Sequence, residues 1–484
     1  MGMYLTSARL ALFASLVVAI GLTGCRRAVI PEPAQVQAEA LPEIPLVLPV
    51  DSLDSIYEGL RHASAVFRFY RTVDLRPVWV DDEKASVIGD SLVRFIGQVR
   101  LYGLYPDDYH YEFLSQPAPP ERIAAELLRR DVLLTDAFVS LARDLRYGRL
   151  MEASDDSTSV ALLRDVLNSG GLKSKLESRQ PDFRQYHALR AALERMILNA
   201  DSVNQVLLLK GVRSDSSLLD RKVRIVELNL DRWRAETQVW GDRYVLVNIP
   251  SYTIEIIDGG VTVLESRAIV GKPQRETPEF SSVIQCFVTY PYWHVPRRIA
   301  VEEYLPVIKR DTSFLRRNNF DVLDRKGHIV HPDSLDWKSF NKNNFPVMLR
   351  QREGQENSLG VLKFVFDNPY AVFVHDTNAP RLFRLKSRAL SHGCIRIEKA
   401  PAFAHYLVTG EVGKKSTTVE KYLEEKVRNN IELERPIPIH IRYFTAVTDR
   451  NGKVVFLEDI YRKDAELERR IDVSRGANAH GQAR

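Results

Sequence analysis

At Arg243 the hydrophobic period of this chain changes, and no single secondary structure satisfies both halves. Up to about Glu236, apolar residues recur three or four apart: Leu134, Phe138, Leu141 and Leu145 form one stripe, and Val223, Val226, Leu230 and Trp233 another. That spacing gathers each set on one face of a helix, where it serves as a core stripe. From Arg243 the sequence reads RYVLVNIPSYTIEIIDGGVTVLESRAIVG, rich in Val, Ile and Tyr and alternating over several residues. Alternation sends successive side chains to opposite faces of a strand, and Asp258-Gly259-Gly260 supplies a hairpin turn. SSVIQCFVTY, VLKFVF and YAVFVHD continue the strands, with Asn368-Pro369 turning the last pair. A charged stretch from about 297 to 359, helical and loop-like in pattern, interrupts them and reads as an inserted cap. A helical run near 415–430 and two terminal strands follow. The predicted fold class is α+β: a helical scaffold over 51–236, a mixed β-rich domain over 237–465 that contains the cap, and a polar tail over 466–484. A chain of 484 residues exceeds what one core supports, which agrees with this division.

The first fifty residues are of another kind. Arg9 precedes an uncharged apolar run from Leu10 to Ile20, short for a bilayer span but suited to a signal peptide over residues 1–24. Leu22-Thr23-Gly24-Cys25 resembles the bacterial lipobox, in which the cysteine is diacylated and becomes the mature N-terminus. Cys25 is therefore expected to carry lipid and to anchor the chain to a membrane. Arg26 after it, by resemblance to Gram-negative lipoproteins, points to the outer membrane and hence to a periplasmic body. Five prolines between Ala28 and Pro49 make residues 25–50 an extended tether. A net charge of +5 without a concentrated Lys/Arg tract argues against nucleic acid and suits a polyanionic envelope.

Cys25 aside, two of the three cysteines remain. Cys286 lies in a strand-like run, whereas Cys394 stands in RALSHGCIRIE, so a disulfide between them is not expected. A thiol becomes a nucleophile when a neighbouring imidazole takes its proton. His375 ends a predicted strand and can meet Cys394 across adjacent elements. His392, two residues before the thiol, is expected on the opposite side of the backbone and is the weaker base. Gly393 lets the chain approach a substrate closely, and a turn there can aim backbone N–H groups at one point, as an oxyanion site requires. Two other readings of the same residues stay open at this level: a zinc site of His375, His392 and Cys394 with a water, and a buried structural thiol among satisfied histidines.

Ser391-His392-Gly393-Cys394-Ile395-Arg396, with His375-Asp376-Thr377 before it, resembles the signature of the L,D-transpeptidases. LYGLYPDDYH, VELNLDRWRAE, IVGKPQRETPEFSS, PYWHVP and LGVLKFVF are similar to the large periplasmic branch of that family. The resemblance implies Cys394 as nucleophile, His375 as base, and Ser391, His392 and Gly393 as the loop shaping the oxyanion site. It implies substrate contacts from Arg396, Lys363, Phe364 and Phe373, with Trp293 as cleft wall or core. Phe373 stands where relatives often carry a tyrosine, and Tyr290 and His294 where asparagines are common. No peptidoglycan-binding module is recognisable between Met196 and Arg221. The implied reaction acylates the thiol on a peptidoglycan tetrapeptide stem with release of D-alanine, then transfers the acyl group to an acceptor amine, without metal or nucleotide cofactor. Carbapenem β-lactams are the implied inhibitors. Hydrolysis of the thioester, D-amino-acid exchange and protein-to-wall ligation are alternatives within the same chemistry, and a catalytically silent wall-binding lipoprotein is one outside it.

Overall fold

Three carboxylates on one helix explain how the first half of the chain closes on itself. The computed structural model describes residues 59–79, 83–116, 124–149, 157–213, 217–236 and 238–482, all within the unit Leu46–Arg484. In the long helix Ala124–Tyr147, Asp131 accepts the backbone N–H of Val78 at 3.0 Å and of Trp79 at 2.6 Å. Asp136 accepts that of His62 at 2.9 Å, and Asp144 accepts from Arg61 Nη1 and the Tyr109 hydroxyl, both at 2.8 Å. Each buried carboxylate thus meets donors, without which its desolvation would be prohibitive. The stripe Leu134, Phe138, Leu141 and Leu145 is fully inside, as its spacing predicts.

The last scaffold helix, Leu218–Arg234, starts at Ser217, whose hydroxyl accepts the Asp220 N–H at 3.2 Å as an N-cap. It buries Val223, Val226, Leu230 and Trp233. Trp233 stacks on Phe444 with centroids 4.2 Å apart, while Asn229 exchanges two 2.8 Å hydrogen bonds with Thr445. The scaffold is thereby seated on the second domain.

That domain is a nine-stranded sheet. Its order is Ala389–Ser391, Val261–Gly271, Ile395–Ile397, Val374–His375, Leu362–Phe366, Phe280–Thr289, Asn429–Arg442, Arg243–Asn248, Thr253–Asp258. Thr253–Asp258 also pairs with Val261–Gly271, so the pairings close into a ring. Gly259 and Gly260, both at positive φ, make the two-residue turn predicted between those strands. Val247, Ile284, Phe364, Val374, Ile395 and Ile439 fill the interior.

The structure departs from the sequence reading in three places. The cap is not merely helical and loop-like: Trp293–His294, Met348–Gln351, Phe320–Leu323 and Ile329–Val330 form a four-stranded sheet over a core that includes Leu305, Ile308, Phe320 and Leu349. Strands of two to four residues are too short for alternation to register. The helix read over 415–430 is Thr417–Glu424, and Asn429 already begins the strand that ends at Arg442. The polar tail is helical over Lys463–Gln482, with Ile471 buried and Glu468 3.4 Å from Arg224. The signal peptide, Cys25 and the tether lie outside the described residues.

Candidate active site

Strand register assembles the site. His375 pairs with Lys363 on one side and with Arg396 on the other, so the three side chains line one row on the sheet face turned away from the core. Val374 pairs with Ile395 and points inward, the Ile395 N–H donates to the Phe373 carbonyl at 2.9 Å, and Cys394, directly before that strand, has its Sγ 4.0 Å from the Ala371 carbonyl. The thiol thus stands at the start of the strand beside the one that carries the imidazole.

His375 is buried, and its Nδ1 donates to the Asp376 carbonyl at 2.6 Å. That bond places a proton on Nδ1, and the ring also meets the Leu359 backbone. Burial first, then the positive charges of Arg396 and Lys363, push the imidazole down to about 3. Burial also raises the Cys394 thiol, while the Phe373 N–H and the charges of Lys363 and Arg396 work the other way. The resting pair is thus neutral thiol and neutral imidazole. In this arrangement the imidazole can take the thiol proton as a carbonyl carbon is attacked, without a standing ion pair.

Loop geometry follows from three residues. Ser391 Oγ donates to the Cys394 carbonyl at 2.5 Å and accepts the Gly393 N–H at 3.1 Å. The Gly393 amide is therefore engaged and does not serve an oxyanion, whereas the Cys394 N–H makes no hydrogen bond among the described residues. Gly393 has φ +114°, a region costly for any side chain.

The same turn sends His392 away from the thiol. Residues two apart in an extended chain would share a face. The turn at Gly393, not strand alternation, separates them. His392 Nε2 lies 2.6 Å from Glu303 Oε1 in the cap. Arg275 braces this contact, reaching Glu303 at 3.4 Å and Glu302 at 2.5 Å. Glu302, Glu303 and Tyr304 sit on a π turn, Ala300–Tyr304, within the helix that opens the cap. The cap is thus latched to the loop that carries the thiol. Removing the latch should cost little stability, since both partners are partly exposed. Glu303→Ala is expected to leave the melting temperature nearly unchanged and to slow reaction of Cys394 with an acylating agent roughly tenfold, the low end for a hydrogen bond to a charged group. An unchanged acylation rate would contradict a coupling between cap and loop.

Other residues fall as follows. Lys363 Nζ stands 3.6 Å from the centre of the Phe373 ring, so both border the thiol. Arg396 is pushed down by burial, forms no ion pair among the described residues, and keeps its Nε without a partner. Phe364 does not reach the cleft. It alternates with Lys363 to the other face and is buried against Phe287 and Phe403, with centroids at 5.6 and 4.9 Å. Trp293 joins the aromatic cluster of the cap, 6.2 Å from Tyr304 and 6.4 Å from Phe320. Cys286 and Cys394 are both free thiols.

Residues 242–420 match a family model described as the L,D-transpeptidase catalytic domain, and residues 64–193 match one described as a scaffold domain. The chain carries an L,D-transpeptidase catalytic domain. A Haemophilus influenzae protein named "Putative L,D-transpeptidase" is 37% identical over 223 residues, 46% of this chain and 45% of that protein. The match thus spans less than half of that relative. Among solved structures, the Ldtfm-avibactam carbamoyl enzyme is 11% identical over 44% of this chain and 51% of its own, with a TM-score of 0.19. An L,D-transpeptidase from Mycobacterium smegmatis is 13% identical over 42% and 58%, with a TM-score of 0.18. Likeness that slight carries no argument.

Within the L,D-transpeptidase domain, some supporting residues gave no sign in the sequence. Thr277 Oγ1 donates to the Gly393 carbonyl at 2.8 Å and accepts the Gly271 N–H at 2.9 Å. The Tyr461 hydroxyl receives the Thr277 N–H at 3.2 Å and donates to the Gly271 carbonyl at 2.5 Å. These contacts tie the peptide before the thiol to a segment almost seventy residues downstream, and neither residue type is diagnostic on its own. Asp376 is another: its Oδ2 accepts the Val361 N–H at 3.0 Å, in a space that a side chain at Gly360 would invade.

Proposed function

We propose that this chain is a lipid-anchored periplasmic enzyme that forms diaminopimelate–diaminopimelate cross-links in peptidoglycan. The His375 imidazole takes the Cys394 proton as Sγ attacks the third-residue carbonyl of a donor tetrapeptide stem. The tetrahedral oxyanion meets the free Cys394 N–H, and the C–N bond to D-alanine breaks as the imidazolium returns its proton to the leaving amine. A thioester remains. The acceptor amine attacks it, passes its proton to His375, and the C–S bond breaks with reprotonation of the thiol. The observation that carries this reading is the register that pairs His375 with Arg396, two residues after Cys394, together with a buried imidazole held neutral beside that strand. Arg396, beside the thiol and without an ion-pair partner among the described residues, supports recognition of a substrate carboxylate.

The test is product analysis. Tetrapeptide-bearing muropeptides incubated with the enzyme should yield dimers that have lost one alanine. Tripeptide monomers alone would instead establish an L,D-carboxypeptidase. The anchor has its own test: Cys25→Ala should remove the acyl mass and release the protein from the detergent phase or leave it with an uncleaved signal. A wild-type N-terminus without acyl mass would overturn that part.

A further inference from the structure

On the far side of Lys363 from the thiol lies a second set of cations that the steps above leave unused. Two guanidiniums lie over the Tyr292 ring, with Arg350 Cζ 4.6 Å and Arg428 Cζ 5.5 Å from its centre, and the Tyr292 hydroxyl donates to Glu353 at 3.4 Å. Arg350 is fixed in place: Asp321 accepts from it at 2.7 Å, and it pairs in register with His294. Arg428 is different. It is exposed and forms no ion pair among the described residues. A guanidinium stacked on a ring, with its fork unoccupied, is prepared for a planar anion.

Its place in the sheet aims it at the reaction. Arg428 immediately precedes the strand Asn429–Arg442, and across the sheet Asn430 pairs with Val288, Val288 with Lys363, Lys363 with His375, and His375 with Arg396. One line of residues thus runs from the Arg428 end to the Arg396 end, with the imidazole between. His294 registers the overlap of these charges: its imidazole is lowered by burial and then by Arg350, Lys363 and Arg428.

We infer that Arg428, backed by the Tyr292–Arg350 pair, binds the carboxylate of the acceptor, and that the acceptor class is an amine bearing a carboxylate close to the reacting nitrogen. This rests on the transfer reading above. The acceptor's neutral amine attacks the thioester carbonyl, the C–S bond breaks, and one of its two N–H protons passes through His375 to Cys394 while the other stays on the new amide.

The experiment offers two acceptors that differ only in the carboxylate. The full-length protein, acylated by a tetrapeptide donor, is given D-methionine or D-methioninamide, and kcat/KM for adduct formation is measured for each. The wild type should favour the carboxylate roughly ten- to a hundredfold, as a charge-assisted hydrogen bond implies. Arg428→Gln should bring the ratio close to one, and Arg428→Lys should restore part of it. A wild type without preference, or an Arg428→Gln protein that loses both acceptors equally and keeps the ratio, would overturn the assignment. A wild type that makes no adduct with either amine and releases only tripeptide would overturn the transfer reading and this inference together, a result visibly different from a lost preference.

Discussion

Cys394→Ser should fold like the wild type and form no covalent adduct with a carbapenem on the time scale that labels the native enzyme completely. The substitution exchanges one small group for another in a partly buried loop, and such changes usually move stability by about 1 kcal/mol or less. Chemistry is another matter. With its imidazole held down to about 3, His375 is a weak base. It can assist a thiol, whose ordinary pKa is about 8.5, far better than an alcohol. A loss on the order of a thousandfold or more in acylation is expected, as for other enzymes stripped of their nucleophile. Intact-protein mass spectrometry reads it directly. Labelling of the serine variant at the native rate would remove Cys394 from the role given to it.

His375→Gln should lower acylation by about a hundred- to ten-thousandfold, the range for a lost general base, and should change the pH profile as well as the rate. Burial raises the thiol, so without the imidazole the reaction must wait for hydroxide to ionise it. The variant's rate should climb with pH through neutrality, where the wild type is nearly flat because its imidazole is already neutral. Stability offers an independent reading. The folded imidazole titrates near 3 and the unfolded one near 6.5, so the unfolded chain binds the extra proton between those values. Wild-type stability should therefore fall as pH drops from about 6.5 toward 3. His375→Gln should remove its share of that fall, leaving the contribution of His440, which burial and Arg442 also hold near 3. An acid melting profile unaltered by the substitution would contradict the burial and charge environment described for His375.

The large divisions of this fold are legible because long elements repeat a period. A four-residue stripe on Ala124–Tyr147 and the alternation from Arg243 each leave little choice about the element formed. Cys394 and His375 are legible because few roles suit a thiol in a Ser-His-Gly-Cys-x-Arg loop. What escapes sequence reading is whatever depends on pairing. Phe364 belongs to the core and Lys363 to the cleft only because alternation on that strand runs one way, and the motif itself does not say which residue faces out. The partner of His392, Glu303, lies in an insertion whose strands are too short to betray a sheet, and spacing alone misassigns why His392 turns from the thiol. Thr277 and Tyr461 hold the Gly393 peptide through a hydroxyl network assembled by distant segments, for which no local spacing exists.

If Cys394 carries the acyl group of a donor stem, the adduct can be trapped by quenching the wild type during turnover with a tetrapeptide donor, digesting it, and locating the modified peptide by mass. The expected product is a thioester of the tripeptide stem, one D-alanine lighter than the donor, on the peptide that contains Cys394 and sensitive to hydroxylamine. An adduct on any other residue, or turnover of the donor with no thioester at Cys394, would contradict that role.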